Sequence, residues 1–240
     1  MTDTSAVVII GGSSGIGLAV ARRCLADGRR VMIAGRSAER LDAARAQLGK
    51  PKQLEAFPAD IGAKADVQAL FASAGAVAHV VVTAADLPYG RLDSLTEDNM
   101  LRAVRSKVLG PLLTAQAAAA RMVAGGSMTY TSGIAARRPA PGGSLTATVN
   151  GALESMVRAL ALELAPVRVN AVSPGWVDTP VWDQIAPPDV KKSRLADMAA
   201  KLPGKRNGRP EDVANAIMFL MSDDFITGTV LHPEGGQLLV

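Results

Sequence analysis

Short runs of apolar, often β-branched residues alternate along this chain with longer stretches whose apolar positions recur every three or four residues. Read with a period of 2 for strands and 3.6 for helices, the pattern predicts strands at 6–10, 30–34, 53–58, 80–83, 127–131, 167–172 and 229–232. Between them it predicts helices at 15–27, 37–48, 63–74, 96–124, 143–164 and 210–222. Strands this apolar, each followed by a helix, imply an α/β, doubly wound, mainly parallel sheet covered on both faces. A ligand site then lies beyond the carboxyl ends of the strands. No repeat, linker or shift in composition divides residues 1–240, so a single domain is expected, and the alanine run at 117–120 reads as helix propensity. The stretch 176–209 differs. It holds Pro180, Pro187, Pro188 and Pro203 with Trp176 and Trp182, and reads as a mobile substrate lid carrying a short helix.

Composition narrows the function classes. With 240 residues and 48% hydrophobic content the chain can bury a large core. No apolar run approaches the ~18–20 residues that span a bilayer, and residues 1–5 lack a basic leader region, so a cytoplasmic protein with no membrane partner is expected. The single Cys24 excludes an internal disulfide and falls on the apolar side of the first helix, where it reads as a buried small side chain. His79 and His232 cannot build a metal site with it. The net charge of +4 is dispersed, and 3% aromatic residues leave little material to stack on bases. No nucleic-acid partner is therefore expected; solvated faces or a phosphate-bearing small ligand account for the charge.

The clearest chemical motif is the turn Ile10-Gly11-Gly12-Ser13-Ser14-Gly15-Ile16-Gly17, which follows an apolar run and opens a helix. Glycines there let the backbone turn tightly and approach phosphates, while the new helix offers unpaired N–H groups and the positive end of its dipole. Gly11, Ser13, Ser14, Gly15, Ile16 and Gly17 are accordingly candidate nucleotide ligands.

Further motifs accumulate in order: Ala59-Asp60-Ile61, the run Arg168 to Gly175 continuing through Trp176-Val177-Asp178-Thr179-Pro180, Gly208-Arg209-Pro210-Glu211-Asp212, and the closing Thr227-Gly228-Thr229 with Glu234-Gly235-Gly236. Together they resemble the short-chain dehydrogenase/reductase family over nearly the whole chain. The resemblance implies a seven-stranded Rossmann sheet, a nicotinamide cofactor, and a homodimer or homotetramer built on helices 96–124 and 143–164. It further implies that Asp60 contacts the adenine amino group, that Ile61 lies against the ring, and that Pro174, Gly175, Val177 and Thr179 line the nicotinamide. At the end of the second strand the chain reads Ala34-Gly35-Arg36-Ser37, with no carboxylate to repel a 2′-phosphate and a guanidinium able to pair with one, so NADP (NADPH) is expected over NAD.

The catalytic half departs from the family. Where typical members carry Tyr-x-x-x-Lys, alignment through Asn150-Gly151-Ala152-Leu153 puts Thr146 at the tyrosine and Asn150 at the lysine. Being four apart, the two share one helix face. The substrate-orienting serine falls on Gly133, leaving Ser132 one position early; it either points away, as strand alternation implies, or is turned inward by a hinge at the strand end. The usual Asn-Asn-Ala-Gly after the fourth strand becomes Thr83-Ala84-Ala85-Asp86, whose first three residues stay on the cofactor side, and the asparagine of the long middle helix becomes Lys107. Two readings of Lys107 stand: a cation that has exchanged places with Asn150, the asparagine then bonding the cofactor ribose, or a surface lysine. An alkyl alcohol has a pKa near ~15.7 against ~10 for a phenol, so a proton from Thr146 costs roughly 7 kcal/mol more. Asp86, with a pKa raised by desolvation, is a candidate replacement acid; Tyr89 and Tyr130 are others, or else packing residues.

The catalytic candidates are thus Ser132, Thr146, Asn150, Lys107 and Asp86. The function expected first is hydride transfer between NADP(H) and a small, mostly apolar carbonyl-, enone- or imine-type substrate with a non-standard proton donor. A non-redox enzyme on the same fold, catalysing elimination, isomerisation or cyclisation, and a silent nucleotide-binding regulator are the alternatives.

Overall fold

The computed structural model describes residues 5–184 and 186–240. Residues 1–4, on which the leader reading rests, and Ile185 of the lid segment lie outside the described residues. The strands are β1 (Ala6–Ile10), β2 (Arg30–Gly35), β3 (Leu54–Pro58), β4 (Val77–Val82), β5 (Met122–Thr131), β6 (Arg168–Val172) and β7 (Val230–Leu231). They form one seven-stranded sheet in the order β3-β2-β1-β4-β5-β6-β7, and each adjacent pair is parallel. The order reverses between β1 and β4, which opens a crevice at their carboxyl ends.

Side-chain alternation in β1 feeds two cores. Ala6, Val8 and Ile10 pack with Val67, Leu70, Phe71, Leu153 and Val157, from α3 (Lys64–Ala74) and α6 (Ser144–Glu163). Val7 and Ile9 pack on the other face with Val20, Cys24, Val213 and Ile217, from α1 (Gly15–Ala26) and α8 (Pro210–Ser222). Cys24 is fully buried, its Sγ 3.7 Å from Met218 Sδ, and burial pushes its thiol up to about 12. The α2 helix (Ala38–Gln47) is capped by Ser37, whose side chain accepts from the Arg40 N–H at 3.2 Å.

The continuous helix expected at 96–124 is broken. It runs as α4 (Glu97–Val104), a π-helical turn (Arg105–Leu109) and α5 (Gly110–Ala119), and residues from Met122 onward join β5. Pro111 is the cause of the first break: it has no N–H to return to the carbonyl of residue 107, so the ladder widens by one residue. At the other end pairing of β5 with β4, with Met122 opposite Val77, overrides the alanine-rich helix propensity.

The segment 176–209 carries a 3₁₀ turn (Pro180–Gln184) and a helix, α7 (Pro188–Lys201), of 14 residues, longer than the short helix expected. Its base is pinned, since Asp178 N–H donates to the Gly208 carbonyl at 3.0 Å and Gly208 N–H to the Trp176 carbonyl at 2.9 Å. Among the described residues no helix is long and apolar enough to cross a membrane.

Candidate functional site

A cavity of about 540 Å³ lies at the carboxyl ends of the strands. At one end is the glycine turn. Gly11 has φ +94°, and a Cβ there would sit 2.5 Å from the Ala84 backbone nitrogen and 2.6 Å from Thr83 Oγ1. The end of β4 and the turn therefore meet too closely for any side chain at this position. The first intrahelical bond runs from Leu18 N–H to the Ser14 carbonyl at 3.2 Å; the N–H groups before it stay unpaired within the helix, with neither a capping side chain on Ser14 nor an acidic residue in the first turn. This cradle fits the diphosphate of a dinucleotide. Thr83 Oγ1 donates to the Gly11 carbonyl at 3.2 Å and ties the end of β4 to the turn.

Gly11, Ser13, Ser14, Gly15, Ile16, Arg36, Asp60, Ile61, Thr83, Ala84, Ala85, Asn150, Pro174, Gly175, Val177 and Thr179 all line this one cavity. Gly17 does not. A Cβ on Gly17 would lie 2.3 Å from the Gly11 carbonyl oxygen, so this glycine lets α1 close against the turn instead of facing a ligand. Asp60 Oδ1 accepts from Gly62 N–H at 2.8 Å, and Ile61 is buried under Gly110.

The expectation for Asp86 is corrected. Burial alone raises its pKa, but hydrogen bonds from Arg102 and Arg36 outweigh that and hold the carboxyl below its usual range. Arg102 Nη2 lies 2.7 Å from Oδ1 and Arg36 Nη1 3.0 Å from Oδ2. An ionised carboxylate between two guanidiniums has no proton to give, so Asp86 is not the acid. No carboxylate stands beside Arg36 within 34–37, but Asp86, which follows β4, supplies one from across the sheet.

At the inner end, the π turn carries Lys107 inward. It is 3% exposed, which removes the surface-lysine reading, and its Nζ donates to the Thr131 carbonyl at the end of β5. Burial lowers its pKa to about 8. Thr146, half-buried, and Asn150, buried, line the same pocket from one face of α6. Asn150 Oδ1 and Thr131 Oγ1 are buried without a hydrogen-bond partner. Ser132 also borders the cavity, but its Oγ donates to Glu154 Oε1 at 3.0 Å and lies 3.3 Å from the Asn150 carbonyl. Its hydroxyl is committed to α6, so strand alternation holds and no hinge turns it inward. A Cβ on Gly133 would lie 2.9 Å from Asn150 Nδ2; the asparagine amide occupies the space that a serine would need.

The two phenols are placed differently. Tyr130 is fully buried in the core, where its OH donates to the Pro111 carbonyl at 3.4 Å and burial raises its pKa. Tyr89 is a rim residue whose OH donates to the Pro141 carbonyl at 3.1 Å. Trp176 and Trp182 form the apolar wall, with ring centroids 4.7 Å apart and planes inclined at 57°. Trp182 Nε1 donates to the Val177 carbonyl at 3.0 Å, which leaves the rest of that ring as apolar surface. Sequence reasoning missed Arg40, Arg102 and Glu154. Arg40 lines the cavity with its Nη2 3.4 Å from Ser14 Oγ; a second arginine four residues after Arg36 was the available signal. For the Arg102–Asp86 and Glu154–Ser132 contacts no local signal exists, because the partner in each lies on another segment of the chain.

Comparison with known proteins places these features in context. A protein-family model described as Enoyl-(Acyl carrier protein) reductase matches residues 11–237. The short-chain dehydrogenase/reductase ATR9 of Stachybotrys chlorohalonatus is 36% identical, over 97% of this chain and 96% of that protein. The structure of MalC reductase/Diels-Alderase from Malbranchea aurantiaca superposes with a TM-score of 0.91 at 34% identity, covering 98% of this chain and 97% of that one. A small-chain dehydrogenase in complex with NADPH gives 0.87 at 31% identity, over 99% and 100% of the two chains.

Proposed function

The chain belongs to the short-chain dehydrogenase/reductase family, and we propose that it is an NADP(H)-dependent reductase of a small, mostly apolar carbonyl-, enone- or imine-type substrate. One observation carries this reading: a single cavity joins the glycine turn and Arg36 at one end to Lys107, Thr146 and Asn150 at the other. The residues fit the cofactor. The unpaired N–H groups around Ser13 to Gly17 would hold the diphosphate, Arg36 with Arg40 the 2′-phosphate, Asp60 and Ile61 the adenine, and Asn150 a ribose hydroxyl through its orphaned Oδ1. Thr83, Ala84 and Ala85 would floor the adenosine end, and Pro174, Gly175, Val177 and Thr179 the nicotinamide end.

When bound, NADPH supplies the hydride. The remaining need is a proton for the heteroatom that gains charge, and Lys107 is the group assigned to it. Thr146 is too weak an acid and Asp86 is held ionised, whereas a buried ammonium with a pKa of about 8 is protonated at neutral pH and gives its proton readily. Trp176 and Trp182 exclude water and select apolar substrates, and 176–209 acts as the lid. Leu101, Val104, Leu109 and Leu112 leave an exposed apolar stripe on α4, the π turn and α5, which supports a homodimer or homotetramer through this face.

Cyclisation without redox chemistry is a second reading, favoured by Thr146 at the proton-donor position and by the similar protein described as both reductase and Diels-Alderase. Consumption of NADPH separates the two. A panel of ketones, quinones, enones and imines is expected to contain acceptors that oxidise NADPH; tight NADPH binding with no acceptor across the panel would instead select cyclisation or a silent regulator. Arg36→Gln is expected to weaken NADPH binding about ten- to hundredfold, the worth of a charged hydrogen-bonded pair, and to leave NADH unchanged. Calorimetry with both nucleotides measures this, and equal losses for the two would remove Arg36 from the 2′-phosphate.

A further inference from the structure

Arg36 follows β2 and Asp86 follows β4, with β1 between those strands in the sheet, so their ion pair spans the end of β1 above the glycine turn. The two partners differ in freedom. The Asp86 side chain is 15% exposed and the Arg36 side chain 64%. Asp86 is clamped through its backbone, its N–H donating to Ser106 Oγ at 3.1 Å and its carbonyl accepting from the same hydroxyl at 3.2 Å. Arg102 of α4 grips the carboxylate from the other side, with Nη2 at 2.7 Å from Oδ1 and Nε at 3.4 Å from Oδ2. A fixed carboxylate thus holds a movable guanidinium, and a phosphate arriving at Arg36 must compete with it.

Resting on the reading of Arg36 as the 2′-phosphate ligand, we propose that Asp86 is a specificity-determining residue, an internal competitor for Arg36 whose strength is set by Arg102. Phosphate and carboxylate seek the same forked donors, and both carry negative charge, so Asp86 weakens 2′-phosphate binding by occupying Arg36 and by repulsion. Arg102 supplies the compensating positive charge. With it, Asp86 keeps a partner after Arg36 leaves; without it, the carboxylate has Arg36 alone and releases it less readily. The discrimination between phosphorylated and unphosphorylated nucleotide is therefore a balance among three side chains on separate elements.

The signs of the effects test this without any substrate. Binding of 2′,5′-ADP and of 5′-AMP is measured by calorimetry at low salt. Asp86→Asn is expected to tighten 2′,5′-ADP about threefold or more, and Arg102→Gln to weaken it by about the same factor, in keeping with exposed ion pairs. In the double variant the Arg102→Gln loss is expected to vanish, since no carboxylate remains to compete. Affinity for 5′-AMP stays within about twofold throughout, and the gains shrink as salt is raised. Asp86→Ser replaces Asp86→Asn if that variant fails to fold. Unchanged or weaker 2′,5′-ADP binding without the Asp86 carboxylate, an equal change for 5′-AMP, or an Arg102→Gln effect that persists without the carboxylate overturns the proposal. Wild-type protein that binds both probes equally would instead overturn the reading of Arg36 on which it rests.

Discussion

Replacing Lys107 with methionine is expected to lower turnover of carbonyl acceptors by about a hundredfold or more, the usual contribution of a positioned general acid. The side chain is buried in the cavity that Thr146 and Asn150 also line, where the Asp86 carboxyl is held ionised and the Tyr89 hydroxyl is bonded to the Pro141 carbonyl at the rim. Methionine removes a buried charge, which offsets the Thr131 carbonyl it leaves without a donor, so the variant is expected to stay folded. Three further measurements separate proton donation from simple charge. Lys107→Arg keeps the cation, but a guanidinium holds its proton at neutral pH, so activity is not restored. Cationic iminium acceptors need no proton and are expected to be spared in Lys107→Met. The wild-type rate with ketones should fall above about pH 8, where the burial-lowered ammonium loses its proton. A flat profile across that range, or full activity in Lys107→Arg, would remove the lysine from this role.

Gly17→Ala is expected to destabilise the protein by about 1–3 kcal/mol, the range for forced overpacking, and to weaken NADPH binding more than tenfold. The added Cβ would fall 2.3 Å from the Gly11 carbonyl oxygen, 2.8 Å from the Gly11 carbonyl carbon and 2.6 Å from Thr83 Oγ1. Backbone atoms of a tight turn cannot move aside as a side-chain end can, so the helix start and the cradle must separate. Gly151→Ala on α6 is the control. Nothing lies within 4 Å of its added Cβ, and alanine favours a helix interior, so thermal unfolding should be unchanged or shifted upward. Loss of NADPH affinity in both variants, or in neither, would contradict the packing role assigned to Gly17.

Much of the site was legible in the residues. The glycine turn, Asp60 and the segment from Pro174 to Thr179 are contiguous motifs, and the alternation of strands and helices carries contiguous motifs to the same end of a parallel sheet. Lys107 was ambiguous for a definite reason. A helix read as continuous from 96 to 124 assigns faces by 3.6 residues per turn, but the π turn inserts one extra residue and rotates the later part of the helix by about 100°. Pro111 was visible in the sequence, yet a proline alone does not tell a kink from a stop or from a widened turn. Asp86 was misread because its two arginines, Arg36 and Arg102, lie on other elements, 50 and 16 residues away along the chain.

The sequence by itself determined the α/β architecture and the glycine turn that opens α1, because each rests on local periodicity or on residue identity. Only the tertiary structure decided that Lys107 is buried in the cavity, that the Ser132 hydroxyl belongs to Glu154, that Asn150 fills the place of a serine at 133, and that Asp86 holds Arg36. Those four depend on side-chain direction and on charges brought together across the sheet, and both are set by packing between elements, which no local pattern encodes.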